Sequence, residues 1–223
     1  GSEMCIRDRY FTMIIAATLI CGVIISTLGV IFMEPISVFL GADAEMLPDC
    51  VLYGRIVLAF NTAYMLQNVF QSFLIAAEKP KLGLWVTVAA GVTNMALDAL
   101  FMAVFHWGVA GAAIATGISQ IVGGVLPVFY FLNRKNTSLL HLCRPQFEGG
   151  VLLKACVNGS SELMTNLSMS LVNILYNYQL LRFAGEDGVA AYGVIMYASF
   201  LFVAVFVAVS YTHLRAHETL ANL

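Results

Sequence analysis

Asp98 and Asn94 lie four residues apart inside the apolar run 82–105. This run is long enough to cross a bilayer as a helix, and an ionisable side chain within such a span costs at least about 2.5 kcal/mol. Because residues at i and i+4 share a helix face, the two side chains can bind a proton or hold a sodium ion. The pair therefore indicates part of an ion or substrate path, and the structural alternative is a polar pair that holds helices together.

A second carboxylate, Glu162, lies in the apolar segment 151–183, about 17 Å from the inner end by helical rise. It belongs to a row of polar residues that falls within a helical arc of about 100°. The row consists of Asn158, Glu162, Asn166, Asn173 and Asn177. An intramembrane acid in such a row indicates the lining of a cavity, and the alternative is a purely structural contact between helices.

Two further segments carry polar side chains. The polar stripe in 51–77, which either joins helices or lines a wet cavity, consists of Asn61, Asn68, Gln71 and Ser72. In 108–132, many small residues predict close helix packing, and Thr116 offers an additional oxygen ligand. Taken alone, a Thr that bonds to its own backbone is the simpler interpretation of Thr116.

The composition sets the class of protein. The chain has 223 residues, of which 60% are hydrophobic and 11% are charged, so no soluble core of this size could bury its apolar surface. An all-α integral membrane protein in a lipid bilayer is therefore predicted, and the net charge of −2 argues against nucleic acid as a partner. The cysteine spacing predicts no metal site, and no cofactor is predicted. Without a phosphate loop or a hydrolase motif in the body of the chain, no catalytic residue and no enzyme activity is predicted.

Six apolar segments are long enough to be transmembrane helices. They are 10–33, 51–77, 82–105, 108–132, 151–183 and 188–209. Lys and Arg collect in the connections 78–81 and 133–149, whereas 34–50, 106–107 and 184–188 contain neither. The positive-inside rule then makes 78–81 and 133–149 cytoplasmic loops of a multi-pass protein in the inner (plasma) membrane.

The two ends of the chain differ from its apolar body. Residues 1–9 and 210–223 look like translated sequencing-adaptor sequence, and the apolar pattern stops abruptly at both. They are predicted to be non-native and are excluded from fold reasoning. On this interpretation, the remaining sequence is an internal piece of a longer protein.

A series of short motifs along 10–209 resembles the multidrug and toxic compound extrusion (MATE) transporters. In order, the motifs are Phe39-Leu40-Gly41-Ala42, Tyr53-Gly54-Arg55-Ile56, Ala77-Glu78-Lys79-Pro80, Asn94-Met95-Ala96-Leu97-Asp98, Gly111-Ala112-Ala113-Ile114-Ala115-Thr116 and Gly159-Ser160-Ser161-Glu162. Each motif is modest alone, whereas their order and spacing over the whole body are fairly specific.

The resemblance implies a twelve-helix, two-lobe transporter of inverted-V shape that is a monomer at full length. It also implies export of amphipathic or cationic organic compounds in exchange for H⁺ or Na⁺. Residues 10–132 then correspond to N-lobe helices three to six, 133–149 to the loop between the lobes, and 150–209 to helices seven and eight of the C-lobe.

The same resemblance implies roles for particular residues. In members with an N-lobe cation site, the motif matches place Asn94 and Asp98 on helix five and Thr116 on helix six. A helix-four amide of that site matches Gln71, with Asn68 as the alternative. Glu162 resembles the helix-seven acid, which places its row of asparagines in the C-lobe cavity.

Two other functions stay open. One is a lipid-linked precursor flippase of the same superfamily, whose cavity should be basic, whereas Asp98 and Glu162 are acidic. The other is a truncated membrane fragment without function, because alternating access needs both repeats. The chain alone is therefore expected to show no export in liposomes.

Overall fold

The computed structural model describes residues 2–133, 139–143 and 147–221. Its helices are α1 (Ser2–Ile31), α2 (Met33–Phe39), α3 (Leu47–Ala76), α4 (Pro80–Asp98), α5 (Gly108–Leu132) and α6 (Gly149–Ala221), and the π-helix Ala99–Val104 continues α4. Every regular element in these ranges is a helix, which confirms the all-α prediction. Arg134, Lys135 and Arg144, which give the loop 133–149 much of its charge, lie outside the described residues.

Within the described residues, four segments are long and apolar enough to cross a membrane. They are Ile6–Ile31, Pro80–Val104, Gly108–Leu132 and Gly149–Phe206, with mean hydropathies of 2.6, 1.5, 1.7 and 2.2. Many of their apolar side chains are exposed, such as Ile24 and Val92, and this arrangement suits helices surrounded by lipid. The polar stripe makes α3 less apolar, so the count of six transmembrane helices stays a prediction.

The backbone of α6 leaves the helical conformation at Gly185, where φ is 64° and ψ is −162°. Glycine reaches this conformation without the steric cost that a Cβ atom would add. The break falls inside the connection 184–188 that the sequence predicts. Contacts divide the chain into two compact units, 1–159 and 160–223.

In the first unit, α3 is the central helix and contacts α1, α2, α4 and α5. Small residues allow the close approach, because lipid supplies no hydrophobic drive between helices. A Cβ added at Gly22 of α1 would lie 3.0 Å from Cγ2 of Thr62, and one at Gly124 of α5 would lie 3.0 Å from the carbonyl oxygen of Ala63. The hydroxyl groups of Ser26 and Thr62 also share a hydrogen bond of 3.0 Å between α1 and α3.

An aromatic core joins α1, α3 and α5 in this unit. Phe11, Phe70 and Phe131 are buried, and the Phe131 ring centroid lies 5.0 Å from that of Phe11 and 5.9 Å from that of Phe70. The segment 139–143 packs here, since Leu140 is buried against the same cluster. The core therefore holds together the ends of the helices that lie on the predicted cytoplasmic side.

Residues 6–9 continue α1 without interruption. The backbone N–H of His141 donates a hydrogen bond of 3.2 Å to Oδ1 of Asp8. The non-native origin of residues 1–9 and 210–223 stays a prediction.

Candidate cation site

Asn94 and Asp98 lie on the same side of α4 as Gly83, where α4 packs against α3. A Cβ added at Gly83 would lie 3.2 Å from Oε1 of Gln71 and 3.7 Å from Cβ of Leu74, so Gly83 marks this face. At about 100° per residue, Asn94 and Asp98 both fall within about 60° of Gly83. Both residues are half-buried, as this position requires. The fold thus places the predicted pair on one packed surface.

Asp98 has an unmet hydrogen-bonding requirement. Its Oδ1 atom is buried and accepts no hydrogen bond from the residues that the structure describes. A buried acceptor without a donor costs roughly 1–3 kcal/mol, and more when the group is charged. A proton or a cation bound at this oxygen removes that cost, so Asp98 is chemically suited to exchange one.

The contact between α4 and α5 places Thr116 near the level of Asp98. Phe101, in the π-helix, meets α5 at Gly111, where an added Cβ would lie 3.0 Å from Cβ of Phe101. Counted from this contact toward the start of α4 at about 1.5 Å per residue, Asp98 lies at about 4.5 Å, Thr116 at about 7.5 Å and Asn94 at about 10.5 Å. Along the helix axes, the three predicted ligands therefore lie within about 6 Å, or about one helical turn, of one another.

Gln71 and Asn68, the predicted amide ligands on α3, lie elsewhere. Nε2 of Gln71 donates to the carbonyl oxygen of Gly83 at 3.3 Å and also to Oγ1 of Thr87. Thr87 precedes Asp98 by eleven residues, or about 16 Å of helix. Asn68 is exposed and donates to a carbonyl of its own helix at 2.9 Å. The structure does not bring either amide to Asp98.

Gln120 on α5 has a similarly unmet hydrogen-bonding requirement, although the sequence interpretation omits it. Its Oε1 atom, like Oδ1 of Asp98, is buried and accepts no hydrogen bond within the described ranges. Gln120 follows Thr116 by four residues, so the two share a face of α5. The spacing that draws attention to Asn94 and Asp98 is the sequence signal that could have identified it.

The row around Glu162 lies on α6, mostly in the second unit. Nδ2 of Asn166 donates to the carbonyl oxygen of Glu162 at 2.9 Å and to its Oε1 at 3.2 Å. The hydroxyl of Tyr192, beyond the break, donates to Oδ1 of Asn173 at 3.5 Å, and its ring stacks on Tyr176 at 5.0 Å. The exposed members of the row are Asn158, Glu162, Asn166 and Asn177. Their place in a C-lobe cavity stays a prediction.

Comparison with known proteins shows which family the chain resembles. A family model described as MatE matches residues 7–100. A relative named Multidrug export protein MepA, from Staphylococcus saprophyticus, is 26% identical over 178 residues, which cover 79% of this chain and 39% of the relative. Residues 7–100 thus resemble the MatE family.

A second relative, Multidrug export protein MepA of Staphylococcus haemolyticus, is 23% identical over 195 residues, which cover 87% of this chain and 43% of the relative. The chain therefore spans about two fifths of the length of these curated relatives, 39% and 43%. A solved structure described as the inward-facing conformation of a multidrug resistance MATE family transporter matches with a TM-score of 0.80 at 22% identity. That match covers 88% of this chain and 45% of the other. The fold is thus that of part of a MATE transporter.

Proposed function

We propose that this protein exports cationic or amphipathic organic compounds in exchange for protons or sodium ions, as a monomer in the inner membrane. Its relatives in two staphylococci are named multidrug export proteins, which supports this class of cargo. The observation that carries the proposal is the buried Oδ1 of Asp98, which accepts no hydrogen bond in the described part of the chain. An oxygen in this position gains most when a cation arrives.

The mechanism depends on the charge of the Asp98 carboxylate. An external cation binds there, neutralises a charge inside the span, and changes which arrangement of the helices has the lower free energy. A ligand shifts such an equilibrium only by its differential affinity for the two states. The organic cargo leaves on the outer side as the ion enters, and the lobes rock to face inward. Thr116 and Asn94 supply neutral oxygens beside the carboxylate.

Asp98→Asn tests the proposal, because the amide has the shape of the carboxylate but not its charge. Ethidium, a fluorescent organic cation, is bound to the purified chain in lipid nanodiscs, and Na⁺ or H⁺ is then titrated at constant ionic strength. We expect either coupling ion to release ethidium from the wild-type chain. In Asp98→Asn, the ion concentration needed for release should rise by about tenfold or more, which corresponds to losing about 1.4 kcal/mol of ion binding.

Asp49→Asn is the matched control, because Asp49 is an exposed carboxylate in the first turn of α3. This variant should release ethidium at the same ion concentrations as the wild-type chain. Equal ion sensitivity in Asp98→Asn and in the wild-type chain would contradict the proposal. Tight binding of a lipid-linked sugar, with no binding of ethidium, would favour the flippase instead.

A further inference from the structure

The connection that leads to α6 packs on the ends of α1 and α5 that lie on the predicted cytoplasmic side. Leu140 in this connection is buried in one cluster with Phe11 of α1 and Phe131 of α5. The backbone N–H of Leu142 donates a hydrogen bond of 3.3 Å to the carbonyl oxygen of Phe131. The last carbonyl oxygens of a helix have no partner within it, so this bond completes the end of α5.

The same connection is bonded to a short stretch of α1. The backbone N–H of Cys143 donates to Oγ1 of Thr12 at 3.0 Å, and the Cys143 sulfur lies 3.7 Å from that oxygen. Further along the chain, the backbone N–H of Glu148 donates to Sδ of Met13 at 3.4 Å, and its Oε2 accepts a hydrogen bond of 3.0 Å from the hydroxyl of Tyr10. All three partners lie in the apolar body of the chain, so these contacts do not depend on the origin of the N-terminal residues.

Residues 139–143 and Glu148 thus form a strap between α1 and α5, two helices that otherwise pack mainly on α3. Releasing the strap would expose Leu140 to water and would separate the N–H groups of Leu142 and Cys143 from their acceptors. Each of these changes raises the free energy of the chain. The contacts therefore favour a strap that stays where it is.

We propose that the strap is a permanent part of the first unit. It stays bound to α1 and α5 when ions or cargo bind, and α6 begins from a fixed point because Glu148 directly precedes it. Phe131, where the strap binds α5, lies about 22 Å of helix from Thr116, so the role of the strap is separate from that of the cation site. A connection that changed partners during transport would instead have to break the Leu140 contact in one of its states.

A disulfide tests whether the strap is in place. Thr12→Cys puts a second thiol beside Cys143 in a chain whose other native cysteines are replaced by alanine. The 3.7 Å between Oγ1 of Thr12 and Sγ of Cys143 allows a disulfide after a small shift. Copper phenanthroline oxidises both thiols of the purified chain in nanodiscs, dithiothreitol reduces the disulfide, and a maleimide–polyethylene glycol reports free thiols by mass. We expect both thiols to be lost from nearly every chain.

Thr18→Cys is the matched control, because the hydroxyl of Thr18 donates to a carbonyl oxygen of its own helix, as that of Thr12 does. Thr18 lies further along α1, at about 9 Å of helix from Thr12. Both thiols of this variant should therefore stay free. If Thr12→Cys forms no disulfide, or if Thr18→Cys forms one as completely, the strap is not fixed on α1 and the inference is wrong.

The response to ions tests whether the strap stays bound. Disulfide-linked Thr12→Cys should release ethidium at the same ion concentrations as its reduced form, and the disulfide should form at the same rate in NaCl and in choline chloride. Slower formation in NaCl would contradict the inference. So would a rise of about tenfold in the ion concentration needed for release, reversed by dithiothreitol, because the strap would then have to open. If neither form responds to ions, the proposed function is wrong, and the disulfide itself still decides on the strap.

Leu140→Ala measures what the strap contributes to stability. Leu140 is 6% exposed, whereas the adjacent Leu139 is 42% exposed. Truncating a buried leucine leaves a cavity, so Leu140→Ala should lower the unfolding temperature in nanodiscs by about 4 °C or more. Leu139→Ala is the matched change and should leave that temperature unaltered. Equal unfolding temperatures in the two variants would overturn the inference, and if Leu140→Ala does not fold, the disulfide decides.

Discussion

Gly117 on α5 faces the ring of Phe60 on α3, and an added Cβ would overlap that ring. Gly117→Ala must therefore separate the helices or rotate the aromatic side chain, and we expect it to lower the free energy of unfolding by about 1–3 kcal/mol. Gly91→Ala on α4 is the matched change, because nothing lies within 4 Å of an added Cβ there. It should be neutral or stabilising by up to about 1 kcal/mol. Thermal unfolding in nanodiscs measures the stability of both variants. If Gly117→Ala is as stable as the wild-type chain, the close contact between Gly117 and Phe60 is wrong.

The residues of the site differ in how far the sequence can predict them. Asn94 and Asp98 can be paired from sequence because their relation depends on a single helix. Gln71 cannot be placed this way, since its position depends on how α3 pairs with α4 at Gly83. Gln120 is not predicted from sequence, because the small residues around it indicate only helix packing. What separates it from its neighbours on α5 is a buried side-chain oxygen that accepts no hydrogen bond from the described residues.

The link between α3 and α4 is the next prediction. Gln71 donates hydrogen bonds to the Gly83 carbonyl oxygen and to Oγ1 of Thr87. Gln71→Leu should lower the free energy of unfolding by about 1–2 kcal/mol, because both hydrogen bonds between the helices are lost. Its Na⁺ affinity should change less than twofold, since Thr87 lies about 16 Å of helix from Asp98. A tenfold loss of Na⁺ affinity would instead place Gln71 in the cation site.

The boundaries of the elements show where tertiary contacts override local signals. The sequence predicts that the first span, 10–33, ends before Glu34-Pro35. In the structure, these two residues lie in the helix α2. Proline is tolerated there because the first turn of a helix needs no N–H from it. The π-helix after Asp98 has no sequence signal of its own. Its position coincides with the stacking of Phe101 on Phe105 at 6.1 Å and on Trp107 at 5.0 Å, contacts that single-helix periodicity cannot predict.

For the whole molecule, composition alone separates a membrane protein from a soluble one. The order of the motifs then predicts the family, which the MatE match to residues 7–100 supports. The orientation of the chain in the membrane is a different kind of inference, because it comes from a few charged residues in the loops rather than from helix packing. The connections 34–50 and 184–188 contain no Lys or Arg, whereas Lys79 and Lys81 lie in the connection 78–81. The positive-inside rule therefore assigns 78–81 to the cytoplasm.

Cysteine labelling of intact cells tests this orientation. Single cysteines are introduced at the exposed positions Glu45, Lys81 and Glu186 in a variant whose five native cysteines are replaced. A membrane-impermeant maleimide should label Glu45→Cys and Glu186→Cys in intact cells and should label Lys81→Cys only after the membrane is permeabilised. The cysteine-free parent gives the background. Labelling of Lys81→Cys alone in intact cells would invert the topology and place the outer half of α4, with Asp98, on the cytoplasmic side.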